Sequence, residues 1–280
     1  MNNYIQQGLP NLYSRPNYES LAYSDGQEAE ARILRIVSEA KDRSTFSQEL
    51  LLSISDWASE YHLSRVRHSL IRPLGIKAGD KVLELGCGCG AITRFLGELG
   101  AEVTAVEGSE MRAYIAATRS ADLKNVRVIA EDLTKLVIDE TFDWVLLIGV
   151  LEYAPIFSPG ENPAQNYLKG LQKFLTPNGN LVIAIENKLG LKYFNGCDED
   201  HLSIPFYGVQ GLYAVNEART YGKEELKEVL KTSGFPHTEF LYPFPDYKLP
   251  QVVITEEGAH EKEFVASDLL AKMFARNYGK

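Results

Sequence analysis

The sequence predicts an α/β protein built on an open, mostly parallel sheet, and three observations carry that prediction. Short apolar runs recur along the chain: Val82 to Leu85, Glu102 to Glu107, Asn125 to Ala130, Phe142 to Ile148 and Leu181 to Ile185. Such runs suit strands buried on both faces. Between them, apolar residues return at helical spacing, as in Ile92, Phe95, Leu96 and Leu99. The first strand passes into its helix through Gly86, Gly88 and Gly90, a turn that lets backbone approach a ligand and leaves the first N–H groups of the helix open.

Composition narrows the function. With 280 residues, 45% of them hydrophobic, the chain can fill one large α/β domain or a domain with an appendage. No run is long and apolar enough to span a membrane, and the sequence from Met1 to Tyr4 begins no signal peptide. A net charge of −9 argues against a broad nucleic-acid surface. Cys87 and Cys89 stand too close in sequence for a good disulfide, Cys197 is alone, and a reducing cytoplasm fits. A Cys-x-Cys metal site would need a second ligand pair, which the sequence lacks.

Taken in order, residues 1 to 25 read as irregular. Ile33, Ile36, Val37 and Ala40 mark an amphipathic helix over Gly26 to Lys41. Further helices are expected over Ser47 to Tyr61 and His62 to Arg72, the last stopped by Pro73. Residues 1–72 thus form an irregular segment and a helical cap, and 73–258 the main domain. Trp57, Tyr61, His62 and Arg65 combine aromatic and basic groups, as ligand contacts or as the buried face of the cap. Glu107 ends the second strand, and its carboxylate offers two acceptors to a vicinal diol. Gly108 turns the chain, and Ser109 caps a helix carrying Met111, Tyr114, Ile115 and Thr118. Asp132 and Leu133 follow the third strand, with Asp132 placed to cap a turn. Gly149 stands at the carboxyl end of the fourth, central strand, where open sheets bind ligands. A helix over Asn162 to Leu175 is broken by Thr176 to Gly179 before the fifth strand.

The insertion 187–221 is rich in aromatic residues and contains Asp198, Glu199, Asp200 and His201. Long loops in compact domains are usually functional, and this one reads as an acceptor-binding lid suited to a sugar or another polyol. Its acids could hold Mg²⁺, although a solvated acidic loop is the more ordinary reading, and no metal ligand is assigned. A helix over Gly222 to Ser233 and two strands over His237 to Tyr242 and Gln251 to Thr255 follow, with a proline-stiffened connection between the strands. Residues 259–280 read as a C-terminal helix leading toward a further region.

The glycine turn can be fitted to the dinucleotide fingerprint through Gly86, Gly88, Ala91 and Glu107. Glu84 decides against it, because a carboxylate there would repel a pyrophosphate yet can face an ammonium and a sulfonium. Glu84-Leu85-Gly86-Cys87-Gly88-Cys89-Gly90 resembles motif I, E/D-x-G-x-G-x-G, of the class I S-adenosyl-L-methionine-dependent methyltransferases. Phe142-Asp143 with Val150-Leu151-Glu152-Tyr153 resembles their fourth motif, and Leu175 to Ile183 their L-x-P-x-G-x-L-x-I turn. The resemblance implies a Rossmann-like fold, a seven-stranded mostly parallel sheet with an antiparallel last strand. It implies S-adenosyl-L-methionine as cofactor and S-adenosyl-L-homocysteine as product. The implied donor contacts are Glu84, Gly86, Cys87, Gly88, Gly90, Glu107 on the ribose, Gly108, Met111, Asp132 on the adenine amino group, Leu133 and Gly149, with Tyr61 and Arg65 toward the methionine end. Implied acceptor contacts are Tyr153, Asn187, Lys188, Tyr193, Asp246 and Lys248.

An alcohol acceptor must lose a proton during transfer, so a base is expected. Glu152, Glu186 and His201 are the candidates, with His201 favoured by its ordinary pKa. From about Ser24 to Pro250 the chain also resembles bacterial methyltransferases found with glycosyltransferase modules in surface-polysaccharide (O-antigen-like) biosynthesis. Asp56-Trp57, Tyr61 to Ser64, Gly149 to Tyr153, Glu186 to Tyr193, Glu199-Asp200-His201 and Tyr242 to Lys248 carry this likeness. It implies O-methylation of a sugar or glycan in the cytoplasm. A small-metabolite or protein acceptor, or a non-catalytic donor-binding module, are the alternatives.

Overall fold

A computed structural model describes residues 3–21, 26–158 and 160–261; the expected C-terminal helix lies outside them. The chain divides into two compact units, residues 1–148 with 173–182, and residues 149–172 with 183–280.

The first unit is built on the expected open sheet. Its strands are β1 (Ile5–Gln6), β2 (Leu12–Ser14), β3 (Lys81–Leu85), β4 (Glu102–Glu107), β5 (Val126–Ala130), β6 (Phe142–Ile148) and β7 (Leu175–Ala184), in the order β1-β2-β5-β4-β3-β6-β7. Leu83 on β3 stands beside Thr104 on β4 and Val145 on β6, both in parallel register. Val82, Leu83 and Leu85 are wholly buried, as a central strand covered on both faces requires. Strand order reverses at β3, which puts the crevice at its carboxyl end, where Gly86 follows.

The N-terminal segment departs from expectation. Instead of being irregular throughout, it adds β2 in parallel to β5, with Leu12 beside Val128, and β1 antiparallel at the sheet edge. Strands of two and three residues are too short to show an alternating pattern; they are fixed by tertiary contacts such as the Asn11 amide donating to the Ala117 carbonyl at 3.0 Å. The sheet thereby reaches seven strands, mostly parallel, with an antiparallel strand at one edge. Thr176 to Gly179 is not a break but part of β7. A Cβ on Gly179 would stand 2.8 Å from the Phe142 carbonyl oxygen, so glycine lets the two chains run close there.

The helical cap comprises α1 (Gln27–Glu39), α2 (Gln48–Leu52) and α3 (Trp57–Leu63). The second expected helix is split because Asp56 starts a new one: its carboxylate accepts from the Ser59 N–H at 2.9 Å, and the Ser59 hydroxyl accepts from the Asp56 N–H at 3.0 Å. The third is reduced to 3₁₀ turns at Arg67–Leu70 and Arg72–Leu74. Ile33 and Val37 of α1 join Leu50, Leu63, Cys89 and Ile115 in one buried cluster. Against the sheet lie α4 (Ala91–Leu99) and α5 (Glu110–Arg119). Gly90, at φ 75°, is the N-cap of α4, and a Cβ there would stand 2.9 Å from the Ala116 Cα. Gly90→Ala is therefore expected to destabilise the protein by about 1–3 kcal/mol, through overpacking and left-handed strain together. A thermal melt followed by circular dichroism checks this; an unchanged midpoint would refute it.

The second unit contains α6 (Ala154–Phe157), α7 (Pro163–Leu171), α8 (Leu191–Phe194), α9 (Lys223–Thr232), β8 (Leu241–Phe244), β9 (Val252–Thr255) and α10 (Glu256–His260). β8 and β9 form the expected antiparallel hairpin, but as a separate two-stranded sheet. The insertion 187–221 is largely irregular, held by bridges between Asn187 and Tyr221 and between Asp198 and Pro205.

Candidate active site

In the first unit the turn after β3 is shaped by Gly86, Gly88 and Gly90, all at positive φ. At Gly88 a Cβ would lie 3.5 Å from the His62 ring. The Gly88 N–H donates to Glu107 Oε2 at 2.8 Å, and the Ser109 N–H donates to Glu107 Oε1 at 2.9 Å. Glu107 is buried. Burial raises its pKa, opposed by the Ser109 N–H, by Arg112 and by the Gly88 N–H. Each of its oxygens keeps a lone pair beyond the one used by the backbone, so the carboxylate can still receive a diol.

Glu84 is buried too, and its Oε2 accepts from the Thr93 hydroxyl at 2.6 Å. Burial pushes its pKa up to about 7, against the pull of Thr93 and the Arg67 guanidinium. A cationic ligand group would favour its ionised form. Thr93 and Arg67 escaped the sequence reading. Thr93 shares the stretch between Ile92 and Phe95 with another buried polar residue, Arg94, so its type alone does not mark it; Arg67 lies in a turn with no signal.

The remaining donor candidates differ in how they are placed. Arg65 is turned to the side chain of Gln48, and the basic group near Glu84 is Arg67 instead. Arg67 also donates to the Tyr61 hydroxyl at 2.7 Å and lies over its ring. Asp132 caps its own turn, accepting from the Thr134 N–H at 2.9 Å, and pairs with Lys135 at 3.1 Å. Met111 is 41% exposed at the start of α5, and Leu133 is half-buried. Cys87 and Cys89 are buried and free of disulfides, and burial raises the Cys87 thiol pKa, which makes it an inert wall.

In the second unit the three base candidates converge. Carboxylate oxygens of Glu152 and Glu186 and a ring nitrogen of His201 lie within 4.8 Å of one another. His201 Nδ1 is 3.0 Å from Glu199 Oε1, and its Nε2 is 3.8 Å from Glu152 Oε1. Burial opposes the imidazolium, but Glu152, Glu199 and Glu186 outweigh it and lift the His201 pKa to about 10. Burial lifts the Glu152 pKa to about 7, with His201 opposing and Glu186 reinforcing. At neutral pH His201 is therefore a cation, and Glu152 is the group poised to exchange a proton. Glu199 carries part of the family likeness in sequence but no site role is read there, since it is one of a run of acids. Here it orients the ring.

Lys248 binds this cluster, 2.6 Å from Glu186 Oε1 and 2.7 Å from Asp200 Oδ1. Burial disfavours the Asp200 carboxylate, but Lys248 and Lys192 overcome it and hold its pKa low. Tyr193 also donates to Asp200. The residues whose ligand atoms lie close enough to share a metal ion are Glu152, Glu186 and His201 and not the run 198–200, and Lys248 binds Glu186 beside them. Gly149, at φ 69°, admits the Tyr247 hydroxyl, which would be 3.0 Å from a Cβ there. The Tyr153 ring stands edge-on to His201 at 5.3 Å. Three of the expected acceptor contacts are engaged locally. Asn187 accepts from the Leu189 N–H, Lys188 pairs with Glu225 at 2.6 Å, and Asp246 accepts from the Lys248 N–H.

Residues 83–181 match the family described as a methyltransferase domain. That match takes in most of β3, all of β4 to β6 and most of β7, together with the glycine turn after β3. The chain is similar to demethylmenaquinone methyltransferase of Staphylococcus aureus, 26% identical over 184 residues that cover 60% of this chain and 73% of the relative. Among solved structures it is similar to magnesium protoporphyrin IX methyltransferase from Synechocystis with bound S-adenosylhomocysteine (TM-score 0.49, 17% identity, 77% and 88% of the two chains). Another is an S-adenosylmethionine-dependent methyltransferase from Aquifex aeolicus (TM-score 0.46, 18% identity, 70% and 90%). Among the described residues no helix is long and apolar enough to cross a membrane.

Proposed function

We propose that this chain is an S-adenosylmethionine-dependent methyltransferase that transfers the donor's methyl group to a hydroxyl oxygen, with a sugar of a bacterial surface glycan as the acceptor class. The observation that carries donor binding is the buried Glu107 carboxylate, fixed by the Gly88 and Ser109 N–H groups. Glu107 would hold the ribose hydroxyls and Glu84 the cationic end. When bound, the donor supplies an electrophilic methyl whose carbon–sulfur bond breaks as the new carbon–oxygen bond forms. The chain's own task is to orient the hydroxyl and take its proton. Glu152 is matched to that task by its pKa near 7, and His201, held by Glu199, steadies the charge beside it.

A sugar acceptor is supported by the tyrosines and acids gathered in the second unit, among them Tyr153, Tyr207 and Tyr213, the last hydrogen-bonded to Glu199. Tyrosine faces suit sugar rings, and carboxylates suit their hydroxyls. A second reading, an apolar hydroxylated acceptor, is favoured by the exposed side chains of Leu189, Leu191, Phe194, Leu212 and Val215 in the insertion.

Calorimetric titration with S-adenosylhomocysteine tests the donor site. Wild type is expected to bind, and Glu107→Ala to bind roughly tenfold or more weakly, about 1.4 kcal/mol. Absence of wild-type binding would refute the proposal. Transfer of labelled methyl to glycans or to a quinol then separates the two acceptors.

A further inference from the structure

The N-terminal segment does more than widen the sheet. Beyond β2, which runs parallel to β5, the chain continues past the two turns that carry the donor's nucleoside candidates. Arg15 pairs with Glu131, immediately after β5, at 2.6 Å. The Tyr18 hydroxyl donates to the Gly108 carbonyl at 2.5 Å, and the Leu21 N–H donates to the same oxygen at 2.9 Å. The Glu110 N–H donates to the Ser20 hydroxyl at 3.0 Å. Leu21 Cδ1 lies 2.6 Å from the point a Cβ on Gly108 would occupy. Gly108 has no left-handed backbone conformation, and a side chain there would have to displace Leu21.

These contacts fall on the Glu107–Glu110 turn and the Glu131–Asp132 turn, the two places to which ribose and adenine are assigned. Burial, Glu131, Asp132 and Glu107 all keep the Tyr18 hydroxyl protonated, so it stands among the acids of both turns. Leu21 is 41% exposed. It offers an apolar surface beside polar acceptors, which is what a flat heteroaromatic base with a polar edge needs. A segment serving only to cover a sheet edge would end its bonding at β2. Here four further residues are tied to the turns.

We propose that residues 15–21 form one wall of the donor's nucleoside subsite, with Tyr18 and Leu21 as donor-binding residues. The inference rests on the donor reading given above. Binding of the nucleoside then also clamps the segment onto the Gly108 turn.

The test is hydrogen exchange of the whole protein with and without S-adenosylhomocysteine, alongside calorimetry on Leu21→Ala and Tyr18→Phe. The expected results are exchange at Leu21 and Glu110 slowed by roughly tenfold on binding and affinity lowered roughly fivefold or more by Leu21→Ala. Tyr13→Phe, on β2 away from these turns, should bind like wild type. Should wild type bind while exchange over 15–21 stays unchanged and Leu21→Ala binds equally well, the segment is an edge cover and the inference falls alone. Should wild type bind neither S-adenosylhomocysteine nor S-adenosylmethionine, the donor reading falls and takes the inference with it.

Discussion

Glu152→Gln is expected to lower turnover by about 10²–10⁴-fold, the usual worth of a positioned general base, while leaving donor affinity unchanged. In wild type, turnover should rise with pH along a limb centred near 7, following Glu152, and not near 10, where His201 loses its proton. A limb near 10 would make His201 the base. The same substitution predicts a stability effect of definite sign. The folded pKa of Glu152 is raised above its unfolded value, so its contribution is fully present below pH about 4 and is lost as pH rises through about 7. Glutamine never ionises and escapes that loss. At pH 8 the variant should melt at or above the wild-type temperature. An inactive variant that melts lower would point to damage and not to chemistry. Initial rates from pH 5.5 to 10.5 and melts at pH 5 and 8 measure both.

The difference between these two groups shows what sequence could and could not supply. His201 was favoured because an isolated imidazole titrates near neutrality. Its surroundings decide otherwise. Glu199, two positions before it, and Glu152 and Glu186, far off in sequence, hold a proton on the ring. No pattern in the chain announces that convergence. The turn after β3 is the opposite case. Its glycines, the acid before them and Glu107 lie within one strand–helix–strand unit, where local spacing fixes geometry, so the chief donor candidates were legible. So were the parallel strands, whose burial on both faces leaves continuous apolar runs. Legibility failed where elements were short and tertiary contacts decided. β1 and β2 have too few residues for a period, the third cap helix dissolved into 3₁₀ turns, and Pro177 to Gly179 stayed in a strand because Gly179 packs against β6.

The cap depends on a polar contact that hydrophobic spacing does not reveal. Glu30 of α1 and Arg112 of α5 are both buried, with Nε 2.8 Å from Oε1. A buried charge deprived of its partner is costly, so Arg112→Met should destabilise the protein by about 3–5 kcal/mol. Glu30→Gln, which keeps a hydrogen-bonding group, should cost less. The double change Glu30→Leu with Arg112→Met should recover most of the loss, because no charge then remains stranded. Arg112 also helps keep Glu107 ionised against its burial. Its removal should therefore weaken S-adenosylhomocysteine binding most at low pH, where Glu107 protonates first, and the double variant should not restore this. Urea unfolding of wild type, Glu30→Leu, Arg112→Met and the double variant, closed as a double-mutant cycle, separates the two roles. A single Arg112→Met variant within about 1 kcal/mol of wild type would show that the apolar cluster of Ile33, Val37, Leu50 and Leu63 holds the cap unaided. Stability recovered without affinity would show instead that the same guanidinium both docks the cap and tunes the carboxylate that reads the donor.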